Sequence, residues 1–149
     1  MRGHGCAPPR RRWILGGVED GASAWRPIFE AFESRDDERI VAHCDPEIEW
    51  HTVWPGMERV FHGWDGVTRW RAAIDEALAG LSLHMDEAIE LQPDLFFLAY
   101  RLSARGRHSG VASHMEIYDV WKLRDGKLLC RHTFRDRDDA LTGARDLAD

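Results

Sequence analysis

From Leu81 to Arg135 the apolar residues recur at every second position, in four runs separated by turn residues. No other feature constrains the fold as much, because period two belongs to strands whose two faces meet different surroundings. The runs predict strands at about 81–91, 96–105, 111–123 and 128–135, with Gly106 and Gly110 marking one turn and Asp125-Gly126 another. In the third run Met115, Ile117, Trp121 and Leu123 form the apolar face, yet the slot between Ile117 and Trp121 is Asp119. A carboxylate on a buried face is costly unless a partner offsets it. Asp119 is therefore either half of a structural ion pair or a functional group.

The first half of the chain reads as helices. Trp25, Ile28, Phe29 and Phe32 make an amphipathic stripe. Asp36 is placed as an N-cap before Asp37 and Glu38, opening a short second helix with Ile40 and Val41. After Asp45-Pro46, Ile48, Trp50 and Thr52 alternate as a strand. Val67, Trp70, Ile74, Ala77 and Leu78 then share one face of a third helix, stopped by Gly80. Helices followed by a long antiparallel sheet mean an α+β fold. One domain is expected over residues 21–142, with 1–20 a disordered, Gly-, Pro- and Arg-rich extension and 143–149 a polar C-terminal tail.

Several function classes are excluded. A formal net charge of −6 gives no electrostatic basis for binding nucleic acid. No stretch approaches the roughly 18 consecutive apolar residues of a membrane span. Cys6, Cys44 and Cys130 form no C-x-x-C pair, which suits a reducing, cytoplasmic compartment. The histidines lack metal-ligand spacing, and neither a phosphate loop nor a nucleophile elbow appears, so no metal and no cofactor are expected.

Four phrases, "SRDDERIVAHCDPEIEWHTV", "FHGWDGVTRW", "SGVASHMEIYDVWKLRDGKLL" and "FRDRDDAL", in this order and spacing, resemble the SnoaL-like branch of the NTF2-like superfamily. The resemblance covers roughly residues 22 to 142. It implies a cone: a curved, mostly antiparallel sheet wrapped around N-terminal helices, with an internal pocket. The superfamily includes ketosteroid isomerases, polyketide cyclases, epoxide hydrolases, dehydratases and binding domains, so fold alone does not settle activity. Carried over residue by residue, the ketosteroid isomerase tyrosine falls on Ile28 and its general base on Trp50; only its second aspartate is kept, at Asp119. The limonene-type epoxide hydrolase triad falls on Tyr100, Leu102 and Thr133 and is absent.

Alternation and resemblance together direct Leu98, Tyr100 and Leu102, then Met115, Ile117, Asp119 and Trp121, into the pocket, with Trp50 beside them. The last strand has two registers. A two-residue turn at Asp125-Gly126 would face Cys130, His132 and Phe134 toward Asp119; a three-residue turn with a bulge would face Arg131, Thr133 and Arg135 there. The epoxide-hydrolase spacing favours Arg131 opposite Asp119.

The resulting expectation is a small-molecule pocket protein for a hydrophobic, carbonyl-bearing ligand. As a cofactor-independent acid/base enzyme (isomerase, cyclase or dehydratase), Asp119 would move the proton while Tyr100 and Arg131 polarise oxygen. The alternatives are a non-catalytic ligand-binding module and an assembly domain. The resemblance further implies a homodimer formed through the outer sheet face.

Overall fold

The computed structural model describes residues 24–54 and 57–148, so the extension expected over 1–20 lies outside the described residues. Its elements run α1 (Trp25–Ser34), α2 (Asp37–Ala42), β1 (Cys44–His51), β2 (Val60–His62), α3 (Gly63–Ala77), β3 (Leu78–Gln92), β4 (Leu95–Gly106), β5 (Ala112–Arg124), β6 (Lys127–Phe134) and α4 (Arg137–Leu147). The expected α+β cone is present.

The α1 stripe buries Trp25, Ile28, Phe29, Ala31 and Phe32, each large side chain contributing about 1.5–3 kcal/mol by leaving water. The helix ends where Arg35 turns left-handed, at φ 58. Asp36 caps α2 as expected, its carboxylate accepting from the Glu38 N–H at 3.1 Å. The first turn of α3 lies directly on β2: a Cβ on Gly66 would stand 2.9 Å from the Phe61 carbonyl carbon. Leu78 and Gly80 depart from the sequence reading. Leu78 already belongs to β3, and Gly80 (φ 64) sits in a register shift of that strand rather than stopping the helix.

One six-stranded mixed sheet follows the order β2-β1-β6-β5-β4-β3. All neighbours are antiparallel except β1 and β6, which run parallel. The β5–β6 hairpin resolves the register of the last strand by a route the sequence reading did not contain. Asp125 and Gly126 both have positive φ, at 54 and 80, and Arg124 pairs with Lys127, so the turn has two residues. Leu123 then pairs with Leu128 while Lys122 pairs with Cys130, leaving Leu129 as a bulge that flips every later side chain. Arg131 and Thr133 therefore face inward, but Thr133, not Arg131, stands opposite Asp119.

The sheet buries both faces in part. The inner face packs on α1 and α3 around Phe32, Trp50, Leu98, Ile117 and Trp121. On the outer face α4 sets Ala140, Ala144 and Leu147 against Ile89, Phe97, Val120 and Leu129. This helix is capped by Asp136 and continues past residue 142, where the sequence reading closed the domain. Cys44 is a buried free thiol. No helix among the described residues is long and apolar enough to cross a membrane.

Candidate functional site

Asp119 is fully buried, and its Oδ2 takes three hydrogen bonds at once. The Tyr100 hydroxyl donates at 3.0 Å, the Trp121 Nε1–H at 3.0 Å and the Arg131 Nε–H at 2.8 Å. A second Arg131 N–H donates to the Tyr100 oxygen at 2.9 Å, closing a triangle of carboxylate, guanidinium and phenol. Burial, followed by the Asp119 charge, pushes the Tyr100 phenol well above its ordinary pKa, so it stays protonated. Asp119 Oδ1 is buried with no partner among the described residues.

Aromatic rings wall the other side of Arg131. Its guanidinium carbon sits 4.0 Å from the Trp50 ring centroid, 5.1 Å from that of Phe32 and 5.4 Å from that of Trp70. Trp50 and Trp70 lie 4.1 Å apart, and Phe32 meets Trp50 edge-on at 5.0 Å. A weakly hydrated, planar cation is the one charged group that tolerates such a place, through its ring contacts and its forked donors.

Arg131 and Tyr100 also line a cavity of about 230 Å³ between the helices and the inner sheet face. Phe29 and Phe32 of α1, Trp70 and Ile74 of α3, and Leu81 and Leu83 of β3 belong to its apolar wall. Trp54, Met57, Arg35 and Arg71 also line it.

The expected pocket residues divide into three groups. Tyr100, Leu102, Met115, Trp121, Arg131 and Thr133 line the cavity. Trp50, Leu98, Ile117 and Asp119 point to the same side but are 0% exposed and lie one layer behind the lining. Ile117 and Asp119, expected to line the cavity, are not among its lining residues. Arg135 follows the end of β6, where alternation no longer applies. It lines a neighbouring, open groove with Ser103, His114 and Glu116 instead, which meets the cavity at Leu102 and Met115.

Sequence reasoning missed most of the opposite wall. Phe29, Phe32, Trp70 and Ile74 were visible as helix stripes, a signal that does not separate core from cavity. Arg35 and Arg71 carried no signal at all.

Comparison with known families and structures agrees with the fold. The family model described as a SnoaL-like domain matches residues 25–130. The structure of TerC co-crystallised with polyporic acid superposes with a TM-score of 0.68 at 22% identity, covering 82% of this chain and 95% of that one. An NTF2-like protein of unknown function from Burkholderia pseudomallei reaches 0.70 at 19% identity, covering 89% and 100%. A putative SnoaL-like polyketide cyclase from Mesorhizobium loti reaches 0.60 at 16% identity, covering 78% and 99%. No curated protein matches the chain.

Proposed function

The chain belongs to the SnoaL-like domain family, and on that premise we propose that it is a small-molecule pocket protein that holds an apolar, ring-bearing ligand by its body and one ligand oxygen by Arg131. One observation carries this reading: a guanidinium fixed by Asp119 and Tyr100 lines an otherwise largely apolar cavity. A cavity with few convergent polar groups suits orientation of a single oxygen function. Asp119 is the counter-ion that holds the Arg131 guanidinium in place. Because it lies behind the lining, it is out of reach of a ligand proton, and geometry comes before pKa in choosing an acid or base.

A second reading, acid/base turnover, rests on Tyr100. Tyr100 lines the cavity and its hydroxyl touches both Asp119 and Arg131, so a proton exchanged with ligand would pass through it. Charge developing on the ligand oxygen would be met by Arg131, as in an oxyanion site.

The test of binding is a titration with 2-acetylnaphthalene, a neutral aromatic ketone, read by the fluorescence of the lining tryptophans. Saturable binding that disappears in Leu83→Trp, which fills the cavity from β3 and does not line the neighbouring groove, supports the proposal. Binding unaffected by Leu83→Trp, or none, defeats it.

A further inference from the structure

We infer that the ligand is an organic acid, an apolar body whose carboxylate is held by Arg35 at the cavity mouth. This rests on the cavity being a small-molecule site and goes beyond it in naming the ligand's charge and the residue that selects it.

The charged residues of the lining are all of one sign. Arg35, Arg71 and Arg131 line the cavity and no Asp or Glu does, although the chain as a whole carries a net charge of −6. Two of the three are already neutralised. Arg131 is bound to Asp119 at 2.8 Å. Arg71 is bound to Asp37 at 3.1 Å and lies 3.9 Å from Asp75, which Arg107 also approaches, at 4.0 Å. The Arg35 guanidinium is paired with no carboxylate among the described residues. Arg35 therefore leaves the lining with one guanidinium that no ion pair matches, carried on an exposed residue.

Local structure explains why it stays there. Arg35 leaves α1 in the left-handed conformation, and Arg71 donates to its carbonyl oxygen at 3.0 Å. The paired arginine thus ties the backbone of the unpaired one to α3. Apolar walls beside an unpaired cation strengthen its pull on an anion relative to open water. A carboxylate at the mouth also keeps part of its hydration, which one buried beside the already satisfied Arg131 would lose. A cationic ligand meets three guanidinium groups, and a neutral one leaves Arg35 unused.

The test compares 2-naphthoate with 2-naphthamide, which matches its shape without the charge, on the full chain at low ionic strength. The acid is expected to bind about tenfold tighter, the usual scale of a charge-assisted contact. Arg35→Gln, a surface change that leaves the core intact, should remove most of that preference, and Arg35→Lys should restore part of it. Added salt should weaken the acid and not the amide. Equal affinity for the two probes, or a preference that survives Arg35→Gln, overturns the inference while leaving the cavity reading in place. Acid binding that survives Leu83→Trp lies elsewhere on the protein and overturns it too. Failure of both probes and of the ketone overturns both readings.

Discussion

Replacing Asp119 by asparagine removes one charge and almost no volume, so it isolates what the carboxylate does for Arg131. The amide oxygen can take the place of Oδ2 and accept from Tyr100, Trp121 and Arg131, all three donors lying at 2.8–3.0 Å. The guanidinium, 7% exposed, then has no counter-ion. Breaking a buried pair in this way costs about 3–5 kcal/mol. The Trp50 face at 4.0 Å remains and offsets about 1–2 kcal/mol of that. The expected loss is therefore about 1–4 kcal/mol, a fall in Tm of roughly 2–16 °C for a domain of this size. Urea unfolding followed by tryptophan fluorescence measures it, with an unchanged m-value showing that the transition itself is the same. Replacing the pair together, as Asp119→Leu with Arg131→Met, should recover most of the loss, since well-packed apolar residues substitute for a buried ion pair at little cost. An asparagine variant within about 0.5 kcal/mol of the parent would refute the counter-ion role, because surface-like changes alone reach that size.

Tyr100→Phe should cost about 1–2 kcal/mol, the value of a buried hydroxyl bonded to an ionic pair, read from the same denaturant midpoint. Gly66→Ala should cost about 1–3 kcal/mol in the same assay, because its Cβ would meet the Phe61 backbone at 2.9 Å, where no side chain can swing away. Burial raises the Asp45 carboxyl, but hydrogen bonds from Arg124 and the Glu47 N–H, with the Arg124 and Lys127 charges, outweigh it and hold its pKa below the usual value. A depressed folded-state pKa gives stability that is present above the unfolded value near pH ~3.9 and is lost as pH falls through the folded one. The midpoint difference between the parent and Asp45→Asn should therefore be flat above about pH 5 and shrink below it. Burial pushes the Cys44 thiol up to about 12, so iodoacetamide at pH 8 should leave it unmodified in the folded protein and label it on unfolding.

Much of the fold was legible because side-chain period reports which face of an element a residue occupies. Met115, Ile117, Asp119 and Trp121 do share one face. Period cannot report depth: Met115 and Trp121 reach the cavity, while Ile117 and Asp119 are fully buried and do not line it. The last strand shows a different limit. Asp125-Gly126 correctly signals a two-residue turn, but that turn alone would face Cys130 and His132 inward. The bulge at Leu129 reverses this, and nothing in "KLLCRHT" distinguishes a bulged leucine from a paired one. Arg35 was invisible for a third reason. Its position depends on a left-handed helix end, and its free charge depends on Asp37 choosing Arg71, neither of which follows from local pattern.

The most direct test of the central claim is a crystal structure of the complex with 2-acetylnaphthalene. The account predicts the naphthalene rings among Phe29, Phe32 and Trp70, with the carbonyl oxygen within hydrogen-bonding distance of the Arg131 guanidinium. A ligand seated in the outer groove beside Arg135 and His114, with the cavity empty, would contradict it.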